Sequence, residues 1–163
     1  MHKKWEIKKT NTLIVQKLAK VLGVSDIIAH LLFLRGVTTF NQAKNFFRPK
    51  LSHLHNPFLM KNMHDAVTRI EHAIQKKQKI LVYGDYDVDG TTSVAMMYLF
   101  LKKYNQNTEY YIPCRYKEGY GISIEGIDYA DKKKFSLIIA LDCGIRAVNQ
   151  IDYANKIGID VTK

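Results

Sequence analysis

The sequence predicts an α/β fold: a parallel sheet with flanking helices, preceded by a helical segment. From residue 80 onward, short β-branched runs alternate with runs of helical periodicity. The run FSLIIAL (135–141) is apolar throughout, as expected of a strand covered on both faces. Before residue 79, apolar residues recur mainly at helical spacing.

The elements follow in order. Residues 1–12 read as an exposed tail. LIVQKLAKVL (13–22) and SDIIAHLLFLR (25–35) read as helices, with Ser25 or Asp26 as N-cap. A third short helix spans 39–47 and ends before Pro49. Residues 50–62 contain Pro57 and read as irregular. MHDAVTRIEHAIQKKQ (63–78) is amphipathic, with Ala66, Ile70, Ala73 and Ile74 on one face. Ile80–Tyr83 is a strand that runs into an acidic loop. A helix is expected over 91–104, a strand over 109–113 and a helix over 124–133, starting after Ser123. A strand at 135–141, a helix at 147–157 and a strand beginning at 159 complete the pattern. Only about three residues of that last strand are present, whereas strands usually run ~5–6.

Composition narrows the class. Of the 163 residues, 47% are hydrophobic and 25% charged, as in ordinary globular proteins. No apolar run is long enough to span a membrane, and the basic N-terminus lacks a signal-peptide core. The two cysteines, Cys114 and Cys143, have no metal-ligand spacing, so a reducing cytoplasm is expected. Residues 1–78 hold 14 Lys and Arg against 4 Asp and Glu, whereas residues 79–163 hold 11 of each. The expected organisation is therefore a basic helical segment over 1–78 and an α/β domain over 79–163. The basic half suits a polyanion such as nucleic acid, or merely solubilises the surface.

ILVYGDYDVDGTT (80–92) carries the strongest chemical signal. Asp85, Asp87 and Asp89 alternate, so in an extended segment their carboxylates share one side. With no Lys or Arg among them they repel, and either water or a divalent cation must satisfy them. They also lie at the carboxyl end of a strand, where parallel sheets place their sites. The Asp-x-Asp-x-Asp-Gly string resembles half of an EF-hand loop. That loop needs a Glu at position 12, which here is Met96, and a preceding helix rather than a strand. Asp142 follows the FSLIIAL strand; it reads as a partner of this cluster or as a helix N-cap. Three aspartates favour Mg²⁺ or Mn²⁺ over zinc, and such cations promote phosphoryl chemistry.

YGDYDVDGTTS (83–93) resembles motif I of the DHH phosphoesterase superfamily in its RecJ-type form. YIPCRYKEGYGIS (111–123) resembles the stretch that follows, LIIALDCGIRA (137–147) resembles motif II, and residues 35–70 resemble the RecJ-type leader. The resemblance implies a DHH phosphoesterase-like domain and a 5′-to-3′ exonuclease of DNA repair and recombination. Its substrate would be single-stranded DNA, its cofactor Mn²⁺ or Mg²⁺, and other DNA-repair proteins its associates. It implies Asp87 and Asp89 as metal ligands, Asp85 among or beside them, and Asp142 as a ligand bridging two metals. Tyr83 stands where related members often carry His, and is not expected to ligate. Arg115 and the turn Gly119-Tyr120-Gly121 would contact the nucleic acid; an ordinary surface arginine beside a glycine turn fits the same residues.

The sequence departs from the family at its end. The superfamily's Asp-His-His motif should follow the fourth strand, but the chain reads KIGIDVTK there and contains no His-His pair. The α/β domain is thus expected to be incomplete, inactive alone, and to expose apolar surface. His53 and His55 read as a loop pair without acidic partners, and His64 and His72 as helix-surface residues. His2 and His30 carry no signal. Two other readings remain: a DHH-type phosphodiesterase of small nucleotides, and a non-catalytic nucleic-acid-binding or scaffold module.

Overall fold

The computed structural model describes residues 4, 6 and 8–163. The tail expected over 1–12, and His2, fall partly or wholly outside the described residues. The chain forms two compact units, one up to Asn56 and one from Pro57 to Lys163.

The first unit contains three helices: α1 (Thr12–Leu22), α2 (Asp26–Leu34) and α3 (Phe40–Phe47). Each starts at a side-chain cap. Asn11 accepts from the Ile14 N–H, and Ser25 from that of Ile28. Thr39 and Gln42 form a reciprocal capping box. Gly23 ends α1 in the left-handed conformation (φ 66°), which glycine adopts without a Cβ penalty. Val15, Leu18, Ala29, Leu32 and Ala43 make a small core. Its size reflects the narrow apolar stripe each short helix offers.

The second unit is built on a four-stranded sheet, with all neighbours parallel. Helix α4 (Met63–Gln75) precedes β1 (Ile80–Gly84). There follow α5 (Val88–Lys102), β2 (Thr108–Tyr111), α6 (Ile124–Lys132), β3 (Leu137–Leu141), α7 (Val148–Lys156) and β4 (Asp160–Thr162). The strand order is β2-β1-β3-β4. The predicted parallel sheet with flanking helices is thus what the chain forms.

Pleating sorts the side chains to two layers. Leu81 and Tyr83 point to the side of α6 and α7, where they join Ile122, Ile127, Ile138 and Ile159. Ile80 and Val82 point the other way, and pack with Ala73 of α4, Val94 and Leu101 of α5, Leu137 and Ile139. All five residues of β1 are buried, as expected of a strand covered on both faces. Arg69 of α4 ties the far end of the sheet, donating to Asp160 at 2.6 Å, Gln78 at 2.9 Å and the Ser136 carbonyl at 3.2 Å. Along α5, Met96, Leu99 and Phe100 remain exposed.

One boundary changes the chemistry. The helix expected from residue 91 starts at Val88, so Asp87 is its N-cap and Asp89 lies in its first turn. The acidic segment is therefore not extended throughout, and the alternation argument holds only up to Asp87. A helix N-terminus offers free N–H donors and a positive dipole end, both of which favour carboxylates.

Candidate metal centre

The sheet order places the site. The chain leaves β1 for β2 on one side, then returns to β3 on the other, so β1 and β3 flank the topological switch point. Gly84 pairs with Leu141 in register. Asp85 and Asp142, each the next residue, therefore leave the sheet side by side at its carboxyl edge.

Asp85 is fully buried, and neither carboxylate oxygen has a hydrogen-bond partner. Burying an unpaired carboxylate is expensive, which is why such groups are normally paired or bound to metal. Gly90 makes the burial possible: a Cβ there would lie 2.4 Å from the Asp85 carbonyl oxygen. The start of α5 thus rests directly on the Asp85 backbone. Asp87 caps α5 through one oxygen, which accepts from the Gly90 N–H at 3.0 Å. Asp89 is exposed.

Asp142 adopts φ +56°, a left-handed conformation that costs a non-glycine residue about 1 kcal/mol or more. It does not cap a helix: α7 begins at Val148 with Ala147 at its cap position and no side-chain cap bond. Partial desolvation raises the Asp142 carboxyl above its ordinary pKa. The charges of Asp87, Asp89 and Asp85, and a hydrogen bond with Asp87, push the same way. The four aspartates predicted to act together thus lie within electrostatic reach of one another.

Their donor chemistry suits a hard divalent cation, and the orphaned oxygens of Asp85 are the specific point of fit. Among the described residues, however, no three of His, Cys, Asp and Glu assemble into a group that would hold a metal ion by themselves.

The segment after β2 closes over this edge. Tyr83, fully buried, donates its hydroxyl to the Gly121 carbonyl at 2.9 Å and accepts the Ser123 N–H at 3.0 Å. Burial raises its pKa, although the bonds with Ser123 oppose the shift. The residue therefore acts as a strut under the loop. Gly119 and Gly121 have φ of +79° and +89°, so the turn needs glycine at both places. Tyr120 reaches from it to the Asp142 carbonyl, at 3.4 Å. Its phenol pKa is raised by desolvation, and further by the charges of Asp85, Asp142 and Asp87. The Arg115 guanidinium lies 5.4 Å from the centroid of Tyr86, whose ring meets Tyr120 edge-on at 6.3 Å. A run of contacts therefore joins Arg115 to the aspartates. Cys143 is held up at about 11 by burial, then by Asp85 and Asp142, so its thiol stays protonated and unreactive at neutral pH.

Sequence reasoning missed Glu118 and Tyr86. Both stood inside recognised strings, but their roles depend on contacts across the loop. Glu118 accepts from the Cys114 N–H at 2.7 Å, the Ser123 hydroxyl at 2.6 Å and the Tyr111 hydroxyl at 2.9 Å. Burial would raise its pKa, but these three bonds outweigh it and the net shift is downward. A lowered folded-state pKa stabilises above the unfolded value and loses that contribution as pH falls through the folded one. Glu118→Gln is expected to cost about 2 kcal/mol at pH 7. The gap from wild type should shrink as pH falls below about 4.5, the ordinary glutamate value. Urea denaturation at both pH values measures it, and a pH-independent gap would contradict this role.

His53 accepts from the Lys50 N–H at 3.4 Å within the first unit, and His55, His64 and His72 are exposed.

The family model of the DHH family, N-terminal domain, matches residues 79–162. The single-stranded-DNA-specific exonuclease RecJ of Bacillus subtilis is 39% identical over 158 residues, covering 97% of this chain and 20% of the relative. The RecJ of Escherichia coli is 35% identical over 97 residues, covering 59% of this chain and 17% of the relative. The chain thus spans about a fifth of the length of these relatives. A crystal structure of exonuclease RecJ bound to manganese superposes with TM-score 0.57 at 29% identity, over 63% of this chain and 26% of that one. The fold is also that of RecJ in complex with Mn²⁺ from Thermus thermophilus, with TM-score 0.64 at 22% identity, over 95% of this chain and 21% of that one. With the family's N-terminal domain matched over residues 79–162, more than half of its length, the chain belongs to the DHH family.

Proposed function

We propose that this chain contributes the first two metal-binding motifs of a Mn²⁺- or Mg²⁺-dependent exonuclease that degrades single-stranded DNA from the 5′ end. The observation that carries this reading is the buried Asp85 carboxylate, unpartnered at both oxygens, beside Asp142 at the switch point. The similarity to RecJ exonucleases supports the substrate, and the manganese-bound RecJ structure supports the cofactor. Asp87, Asp89 and Asp142 are the ligands in this proposal, with Asp85 oriented behind them. A divalent cation there supplies Lewis-acid stabilisation of phosphoryl oxygens and acidifies water.

The remaining roles belong to the chain. Arg115 pairs with a backbone phosphate through its guanidinium fork. Gly119 and Gly121, lacking side chains, let the strand approach the turn, and Tyr120 offers a ring for base stacking. Tyr83 and Glu118 hold that turn in place. The site operates in the cytoplasm in this reading, which the two free thiols support. No helix among the described residues is long and apolar enough to cross a membrane.

Since no three donors assemble here, the chain by itself is expected to bind Mn²⁺ without hydrolysing DNA. A non-catalytic nucleic-acid-binding module is the second reading, favoured by the lack of a three-donor group among the described residues. Manganese titration followed by electron paramagnetic resonance, with an exonuclease assay on labelled single-stranded DNA, tests the proposal. Binding that Asp142→Asn weakens at least about tenfold, with no hydrolysis, is the expected result. Failure to bind Mn²⁺ at millimolar concentration would overturn the metal-centre reading, and robust hydrolysis would overturn the expected inactivity.

A further inference from the structure

We propose that Arg146 is a second phosphate-binding residue, so that a guanidinium on each side of the carboxylate cluster grips the strand. The inference rests on the metal-centre reading and adds an anchor to it. Arg115 follows β2, the cluster Asp85, Asp87 and Asp89 follows β1, and Asp142 and Arg146 follow β3. Because β1 lies between β2 and β3, the two arginines follow the strands on either side of the one that carries Asp85, Asp87 and Asp89.

Arg146 lines a cleft of about 720 Å³ together with Tyr120, Gly121, Asp142 and Gly144. It is displayed there by a built turn. Gly144 has φ +91°, and its carbonyl accepts the Ala147 N–H at 3.1 Å, which leaves Ile145 and Arg146 exposed at the tip. The base of the turn is packed: a Cβ at Gly144 would meet the Ile122 side chain at 2.8 Å. The tip therefore stands on the loop that carries Tyr120.

An exposed arginine that shares a cleft with the Asp142 carboxylate would ordinarily pair with it. Arg146 makes no ion pair or hydrogen bond among the described residues. Its five donors are thus free at the cleft wall. Four clustered carboxylates repel a polyanion, and cations on either side offset that repulsion while leaving the centre open for metal. A guanidinium fork fits a phosphodiester oxygen pair, and the exposed tip lets the strand pass without a closed pocket.

The experiment uses the full 163-residue chain. Fluorescence anisotropy would follow a 3′-labelled single-stranded oligonucleotide in Mn²⁺ across a salt series, for wild type, Arg146→Ala, Arg146→Lys and the surface control Lys132→Ala. Circular dichroism and manganese titration accompany each variant. Arg146→Ala is expected to weaken binding about tenfold at low salt and reduce the salt slope by about one phosphate, with Mn²⁺ affinity unchanged. Arg146→Lys should retain part of the affinity, and Lys132→Ala nearly all of it. If wild type binds both Mn²⁺ and oligonucleotide while Arg146→Ala matches it in affinity and slope, this inference falls and the metal centre stands. Binding of Mn²⁺ without any oligonucleotide binding by wild type also overturns it. Absence of Mn²⁺ binding overturns the metal centre as well.

Discussion

Asp85→Asn is expected to make the metal-free chain more stable while removing most of its response to Mn²⁺. The wild-type carboxylate is fully buried with both oxygens unpartnered. An amide of nearly the same shape removes the uncompensated charge and leaves the packing around Gly90 intact. The amide stays unpartnered, so the gain comes from removing the buried charge alone and is expected to be about 1 kcal/mol or more. Wild type should gain thermal stability on Mn²⁺ addition through linkage to the folded state, whereas Asp85→Asn should gain little. Thermal denaturation with and without Mn²⁺ measures both arms. If the variant is less stable without metal, Asp85 is satisfied in some other way, and its place beside the proposed metal ligands fails.

Gly90→Ala is expected to destabilise the chain strongly. The added methyl would lie 2.4 Å from the Asp85 carbonyl oxygen, and 2.8 Å from both its carbonyl carbon and its nitrogen. These are backbone atoms, so no rotamer change relieves the clash. Either α5 lifts away from β1 or Asp85 moves. Overpacking of this kind costs about 1–3 kcal/mol, and the rigid partner puts Gly90 at the top of that range. Helix propensity alone predicts the opposite sign, because alanine exceeds glycine by about 1 kcal/mol in a helix. The sign of the measured change therefore decides between close packing and propensity. Loss of Mn²⁺ binding should accompany the destabilisation, because the Asp85 backbone and the cap at Asp87 move together. The clash at Gly126, where a methyl would meet the Tyr83 ring at 2.6 Å, is milder since a side chain can yield.

Much of this molecule was legible from residue pattern. The strands at 80–84 and 137–141 showed themselves by β-branched runs, and Ser123 and Ser25 by their place before apolar periodicity. The predicted strand at 109–113 ends at Tyr111, because the chain turns from the sheet edge toward the Glu118 loop before Pro113. The start of α5 was misplaced by three residues. Asp and Gly are weak helix formers in isolation, and a first turn is stabilised by caps that periodicity does not register.

The sequence by itself determined the layer order, the parallel sheet and the identity of the acidic cluster. These depend on local alternation, on which residues are apolar, and on residue types placed at strand ends. Tertiary structure alone decided that β1 and β3 are neighbours, which brings Asp142 to Asp85 across 56 intervening positions of chain. It decided that Asp85 is buried while Asp87 and Asp89 face outward. It also decided that Tyr83 and Glu118 brace the glycine turn, and that Arg146 stands unpaired in the same cleft. The physical reason is that strand pairing, burial and electrostatic reach are set by distances in space. Residues far apart along the chain acquire those distances only when the sheet forms.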